Sequence, residues 1–297
     1  MEDFKIKKAI VTGGAGFIGS NLVDKLINNG TEVIIFDDLS TGKIENLNPK
    51  AKFFELDISL IRPNSKLLQN IIRDLKDTEV IFHTAAKARV QPSIVDPVSY
   101  NNVNVNGTLN MLCLANTLKI RKFVYSASSS AYGNATEFPT TENHPTNPIS
   151  PYGLQKLIGE QYCKVFSHVY QIDTVSLRYF NVYGERMLLE GAYCLVLGLF
   201  AKQLLDGKKM TINNDGKQRR DFTYVGDVVD ANILAATSQN LHKGKVYNVG
   251  NGLNFSINEV AKMFGGETTK GKNVLEPFET LSDSSNAKRD LGWSPKG

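Results

Sequence analysis

Cysteine is scarce in this chain: Cys113, Cys163 and Cys194 are the only three among 297 residues, with no CxxC pair and no metal-ligand spacing. A disulfide framework and a thiolate zinc site are thereby excluded, and reduced thiols in a cytoplasmic protein are expected. Histidine is scarce too. His83, His144, His168 and His242 form no spaced cluster, so structural roles are expected and metal ligation is not. Long apolar runs are missing: the longest, Leu195 to Ala201, falls far below the roughly 20 residues that span a bilayer. No charged-then-apolar leader precedes the first strand, and no membrane partner is expected. Charge is unsegregated, with 34 basic and 30 acidic residues giving a net +4 and no basic block, so nucleic acid is not expected either. Repeats and low-complexity tracts are absent. What remains is an ordinary soluble composition, 41% hydrophobic, ample for one large domain or two.

An apolar run from Lys8 to Val11 leads through Thr12 into Gly13-Gly14-Ala15-Gly16-Phe17-Ile18-Gly19, and helical periodicity follows from Asn21 to Ile27. The order is strand, glycine turn, helix. Gly13 permits a tight turn, Gly16 lets the backbone approach a pyrophosphate, and Gly19 lets helix pack closely on strand. The first N–H groups of the helix then face an anion. A second strand, Glu32 to Phe36, ends in Asp37-Asp38, 24 positions beyond Gly13, where an acceptor for a ribose hydroxyl belongs. A bare glycine pattern is a weak signal, but in this context it reads as an NAD site.

Strand-like runs alternate with helical ones through the first 180 residues. The later strands are Lys52 to Glu55, Val80 to His83, Lys122 to Ser126 and Thr174 to Arg178, and the helices are about Lys66 to Leu75, Tyr100 to Thr117 and Tyr152 to Tyr170. This rhythm predicts an α/β fold, a doubly wound parallel (Rossmann) sheet with right-handed crossovers. Past Tyr183 the rhythm breaks into a helix near Val196 to Leu205, an extended stretch from Met210 to Asn213, and a helix from Ser256 to Phe264 with a capping-box pattern, Ser256 and Glu259. Residues 1–180 are therefore expected to form the NAD-binding domain, with a contribution from about 223–250. Residues 181–297 would form a smaller substrate-binding α/β region interleaved with it.

Tyr152 and Lys156 sit four apart at the start of a long helix, so they share a face. A phenol with a pKa of about 10 is a poor base at neutral pH, but an adjacent cation favours its phenolate. Tyr152 is thus a candidate general base. A lone Tyr-x-x-x-Lys is usually a solvated helix face. Here it follows a strand ending in Tyr125-Ser126-Ala127-Ser128-Ser129-Ser130, and ligands of open α/β sheets lie beyond the carboxyl ends of strands. Hydroxyls there can bond a substrate oxygen; a flexible serine loop is the plain alternative.

GGAGFIG, HTAAKA from His83, YSASSSAYG from Tyr125, YGLQK from Tyr152, LRYFNVYGER from Leu177, RRDFTYVGDV from Arg219 and DLGWSP from Asp290 together resemble the extended short-chain dehydrogenase/reductase family, and within it the UDP-glucose and UDP-N-acetylglucosamine 4-epimerases. The resemblance implies Ser128, Tyr152 and Lys156 as catalytic residues, with Asn104 holding the lysine through water. It implies that Gly13, Gly16, Phe17, Ile18, Asp37, Ser40, Thr41, Gly42, Asp57, Ile58, Ala85, Lys87 and Tyr179 line NAD, together with Asn104, Tyr152 and Lys156. Ser93, Ser128, Ser129, Asn181 and Arg220 would face a UDP-sugar. The implied reaction inverts C4 of a UDP-hexose: Tyr152 takes the C4 hydroxyl proton as hydride leaves, Ser128 steadies the oxygen, and hydride returns to the other face of a 4-keto sugar. NAD is recycled in place. Arg220 offers a guanidinium fork to the diphosphate, the alternative being a surface arginine beside Asp221.

Dehydratases of the family carry Thr-Asp-Glu where this chain has Ser128-Ser129-Ser130, and its decarboxylases a glutamate where this chain has Ser130. Epimerisation is the branch that survives. In relatives that accept N-acetylated sugars a small residue lies three places before an aspartate; if that is Asp283, the gate is Thr280. Two departures stand out. No basic residue lies between Asn273 and Asp283, where the family places a second diphosphate arginine, and the chain stops at Gly297 where relatives continue into a helix. Arg178 and Arg186 are further basic residues near the site. The rivals are a nucleotide-keto-sugar reductase using NADPH, which Asp37 opposes by repelling a 2′-phosphate, and a dinucleotide-sensing protein without catalysis, which the Ser128, Tyr152 and Lys156 trio opposes. A homodimer is implied, built on the helices Tyr100 to Thr117 and Tyr152 to Tyr170.

Overall fold

A computed structural model describes residues 5–62, 65–189 and 194–297. Its centre is a parallel sheet of seven strands, β1 (Lys8–Thr12), β2 (Glu32–Asp37), β3 (Lys52–Glu55), β4 (Val80–His83), β5 (Lys122–Ser128), β6 (Asp173–Tyr179) and the strand Lys245–Val249. The spatial order runs Lys245–Val249, β6, β5, β4, β1, β2, β3. Both faces of the sheet are covered, which is why its strands read as nearly unbroken apolar runs. Alternation still decides the face. Ala9, Val11, Val33 and Ile35 join one core cluster with Leu22 and Trp293, while Ile10, Ile34 and Phe36 join the other with Met111 and Phe123.

The helices that frame the site are α1 (Phe17–Asn28), α2 (Lys66–Ile71), α3 (Val90–Val95), α4 (Pro97–Asn101), α5 (Thr108–Leu118) and α6 (Pro151–Val169). Helix α6 starts where it does because Ser150 Oγ accepts the Gly153 N–H at 3.1 Å and Pro151 takes the first helical position. The helix predicted from Tyr100 to Thr117 is not uniform. A π-helical turn, Asn102–Gly107, separates α4 from α5, and apolar spacing cannot distinguish such a wide turn from a continuous helix. Its last residue presses on Ile58, whose Cδ1 would lie 2.7 Å from a Cβ at Gly107. Helix α2 also ends earlier than predicted, at Ile71. The capping box holds: Ser256 Oγ accepts the Glu259 N–H at 3.1 Å, and Glu259 Oε2 accepts the Ser256 N–H at 2.7 Å.

Beyond β6, three two-stranded sheets and the helices Val196–Leu205 and Ile257–Phe264 surround a small core of Phe200, Met210, Phe222 and Ile257. Two features position the site. The strand order reverses between β1 and β4, opening a crevice at their carboxyl ends. The small C-terminal elements close one side of it. No helix among the described residues is long and apolar enough to cross a membrane.

Candidate active site

A cavity of about 600 Å³ runs from the glycine turn after β1, past the ends of β4 and β5, to the C-terminal elements. Gly13 has φ +70, and a Cβ there would lie 2.8 Å from Ala85 Cα, so the turns after β1 and β4 meet across the crevice. A Cβ at Gly19 would stand 2.1 Å from the Gly13 carbonyl oxygen. Only hydrogen fits, and the close approach exposes the α1 N-terminus to the cavity. At the end of β2, Asp37 accepts the Ala15 and Leu39 N–H groups at 2.9 Å each. A carboxylate has about four acceptor sites, so two remain for ribose hydroxyls. Burial raises its pKa, and those two N–H bonds pull it back. This cradle fits a dinucleotide.

Gly16, Phe17, Ile18, Ser40, Thr41, Asp57, Ile58, Ala85 and Lys87 all line the cavity beside Gly13 and Asp37. Gly42 backs Asp37, whose Oδ1 would be 2.6 Å from a Cβ there. Tyr179 contributes to the wall, but its hydroxyl bonds Ser126 at 3.0 Å and the Asn232 amide at 2.8 Å, and burial pushes its pKa up to about 12. Asn104 lies behind the wall. Its carboxamide accepts the Lys87 N–H at 2.9 Å and donates to the Lys87 carbonyl at 2.9 Å and to Gln155 Oε1 at 3.0 Å. That clamps the loop after β4 onto α6.

Ser128 ends β5, and Tyr152 enters the cavity from the first turn of α6. Burial raises the Tyr152 phenol, while a hydrogen bond to Ser128 and the positive charge of Arg89 pull it back. Arg89, which lines the same cavity, thus adds a cation that the Tyr152–Lys156 spacing did not suggest. Lys156 donates to the Ser126 carbonyl at 2.8 Å and lies 5.1 Å over the Tyr125 ring. Burial lowers its pKa to about 8, against the charge of Glu160. Ser93 is fully buried under the site, where its Oγ accepts the Tyr152 N–H at 3.1 Å and donates to the Val90 carbonyl at 2.6 Å. It ties α3 to α6.

Asn181, Ser129, Arg220 and Thr280 also line the cavity. Arg220 is buried and is no surface arginine; its Nη2 donates to Glu276 Oε2 at 2.6 Å and its Nη1 to the Arg219 carbonyl at 2.8 Å. Thr280 Oγ1 accepts from the Asn181 amide and the Asp221 N–H, at 3.2 Å each. Asp283 lies outside the wall and accepts the Ser285 N–H at 2.8 Å. Arg186 is on the wall and pairs with Asp24 at 2.7 Å. Arg178 is behind it, forked onto Glu160 at 2.8 and 2.6 Å. The sequence reading missed Arg89, Glu160 and Glu276. Arg89 follows directly on the quoted HTAAKA, so its position was the available signal; nothing local marks the other two. His83 is a core residue held by Thr12 at 2.8 Å and Thr108 at 3.0 Å, with its pKa pushed down to about 3 by burial and then by Lys156.

Doubly wound sheet, glycine cradle and a serine, tyrosine and lysine cluster together define a dinucleotide-dependent protein of the short-chain dehydrogenase/reductase class. The chain belongs to the NAD dependent epimerase/dehydratase family, which it matches over residues 9–250. It is 35% identical over 302 residues to the UDP-glucose 4-epimerase of Mycolicibacterium smegmatis, covering 97% of this chain and 94% of that one. Among solved structures it resembles the UDP-glucose 4-epimerase of Thermotoga maritima with UDP-glucose, at a TM-score of 0.91 and 37% identity, covering 97% of this chain and 94% of that one. It likewise resembles the UDP-N-acetylglucosamine 4-epimerase of Methanobrevibacter ruminantium in complex with UDP-N-acetylmuramic acid, at 0.90 and 34%, covering 99% and 94%. Other relatives differ in reaction, including a UDP-glucuronic acid decarboxylase of Arabidopsis thaliana, 34% identical over 313 residues, 97% of this chain and 66% of that one.

Proposed function

We propose that this chain is an isomerase that inverts C4 of a UDP-linked hexose with NAD held in the glycine cradle. The observation that carries the reading is one continuous cavity lined by the cradle, Asp37, Ser128, Tyr152 and Arg220. NAD, when bound, supplies the acceptor and donor of hydride at C4. Tyr152 takes the C4 hydroxyl proton and gives it back, and Ser128 donates to the same oxygen as it gains carbonyl character. Lys156 lies just behind the wall with its ammonium on the Ser126 carbonyl, and would turn from that oxygen to hold ribose hydroxyls, with Glu160 favouring its charge. Arg220 leaves Glu276 to meet the diphosphate. Ser128, Ser129 and Ser130 supply no acid for water elimination, which favours epimerisation over dehydration. Asp37 favours NAD over NADPH. We also propose a homodimer packed through α6, where Leu154, Val165, Val169 and Tyr170 are exposed.

The test is product analysis by proton NMR after incubation with UDP-glucose and, separately, UDP-N-acetylglucosamine and UDP-glucuronic acid, without added NAD. A C4 epimer of any of them is expected. No epimer from the three, with NAD added as well, would overturn the assignment, and net oxidation of NADPH by a 4-keto sugar would replace it with a reductase.

A further inference from the structure

We propose that Ser93 and Gln155 are positioning residues: two buried side chains that fix the slide and the roll of the first turns of α6, and with them the reach of the Tyr152 phenol toward the reacting carbon. The inference rests on the epimerase reading above and deepens it by naming what holds the general base in place.

Neither residue is on the cavity wall, whereas Gln91, Pro92 and Tyr152 are. Ser93 is fully buried and Gln155 is 4% exposed. Polar side chains so placed are kept by their partners, and the partners identify what they do. Tyr152 is the second residue of α6, so its N–H is one of the four that no carbonyl of the helix can reach. Ser93 Oγ accepts that N–H at 3.1 Å while donating to the Val90 carbonyl at 2.6 Å. The helix cannot slide along its axis without breaking this bond. Three residues on, the Gln155 carboxamide is engaged at both ends: Oε1 accepts from the Asn104 amide at 3.0 Å and Nε2 donates to the Pro97 carbonyl at 3.3 Å. Asn104 holds both backbone groups of Lys87 at 2.9 Å. Gln155 therefore ties α6 to the start of α4, to the π turn and, through Asn104, to the loop after β4. A side chain fastened away from the axis opposes rotation of the helix about it.

The required precision is set by geometry. Side chains end about 5–6 Å from a helix axis, so a roll of roughly 10° moves them by about 1 Å. A misplacement of that size can cost on the order of 100-fold in rate. Tyr152 is exposed to this loss because its hydrogen-bond partner does not move with it. Ser128 ends β5, so the bond between the two hydroxyls joins helix to sheet. Supporting side chains that lock such a pair are the usual means of holding a reactive group in register.

The experiment compares Ser93→Ala, Ser93→Cys and Gln155→Met with the wild-type full chain in two readouts. One is kcat and KM with UDP-glucose, UDP-N-acetylglucosamine and UDP-glucuronic acid; the other is the pH titration of the Tyr152 ring by NMR of 13C-labelled tyrosine, assigned with Tyr152→Phe. Ser93→Ala and Gln155→Met should each lower kcat by ~10- to 100-fold while KM stays within about threefold. In both, the Tyr152 signal should titrate at higher pH than in wild type, because a loosened bond to Ser128 no longer favours the phenolate. Ser93→Cys, which keeps the shape and a weaker acceptor, should recover part of both effects. Gln155→Met keeps the volume and removes both bonds, so it decides the matter where Ser93→Ala does not fold. A lower unfolding temperature with kcat and the Tyr152 titration unchanged overturns the inference and leaves epimerisation standing. A raised KM at unchanged kcat in Ser93→Ala also overturns it, since Ser93 would then meet the sugar. A Tyr152 titration that shifts in both variants, with a wild type that epimerises none of the three sugars, supports the positioning and removes the epimerase reading instead.

Discussion

Glu160→Gln should damage both stability and the alkaline behaviour of the site. Glu160 lies one turn beyond Lys156 on α6 and receives both arms of Arg178, with all three side chains nearly excluded from water. Removing the carboxylate leaves Arg178 charged and buried without its partner, a loss of about 3–5 kcal/mol for such a pair. The second effect concerns Lys156. Its pKa of about 8 against a normal 10.5 means that the unfolded chain binds more protons between those pH values, so stability rises with pH across that window. At pH 7 the penalty is on the order of 3 kcal/mol. Glu160 is the first charge opposing it, so in Glu160→Gln the pKa falls below 8 and the alkaline limb of kcat/KM moves to lower pH. Urea unfolding at pH 7 and a pH–rate profile from 6 to 10 read the two effects. The double variant Glu160→Gln/Arg178→Met, which deletes both members of the pair, should recover much of the stability but not the alkaline limb. A single variant that loses under about 1 kcal/mol and keeps its profile would show that the pair neither holds the helix nor charges the lysine.

Three further changes test the cavity. Glu276→Gln frees Arg220 from a charge-assisted bond, partly screened because Glu276 is 28% exposed, and should tighten UDP binding by roughly tenfold in calorimetry; unchanged affinity would mean that Arg220 does not meet the diphosphate. Thr280→Tyr should lower kcat/KM for UDP-N-acetylglucosamine relative to UDP-glucose by about tenfold if Thr280 is the gate, and an unchanged ratio would place the gate elsewhere. Asp221 is buried, with a pKa raised to about 6 by desolvation despite three backbone N–H bonds. The native state then binds more protons than the unfolded one between pH 4 and 6, so Asp221 costs stability as pH rises, reaching about 3 kcal/mol above pH 6. The wild-type and Asp221→Asn stability curves should differ in slope across that interval, and parallel curves would refute the burial argument.

Much of the fold was legible because its signals are local. Gly13 and Gly19 announce a turn whose close contacts admit no side chain, and Ser256 with Glu259 marks a helix start by chemistry that lies within four residues. Legibility stops where backbone geometry departs from the period. The π turn at Asn102–Gly107 keeps a helical pattern of apolar residues, yet it is where Asn104 bonds both backbone groups of Lys87. The tertiary contact, not the pattern, is the observation that distinguishes it.

The site shows the same limit in its charges. Motif spacing places Ser128, Tyr152 and Lys156 on a strand end and a helix face, and the structure brings Ser128 and Tyr152 to the cavity wall with Lys156 buried behind them. Their electrostatics could not be read from spacing, since a sequence shows which residues are charged but not which charge faces which. Spacing pairs Tyr152 with Lys156, whereas the fold turns the Lys156 ammonium toward the Ser126 carbonyl and brings Arg89, 63 positions before Tyr152, into the same cavity as the phenol. The absence of a basic residue between Asn273 and Asp283 likewise read as a gap in diphosphate binding. In the structure that stretch supplies Glu276, which neutralises Arg220 from the cavity wall. The consequence is a cavity whose positive charge is partly neutralised by its own fold: Arg220 is paired with Glu276 and Arg186 with Asp24, while Arg89 and Lys87 line the same wall.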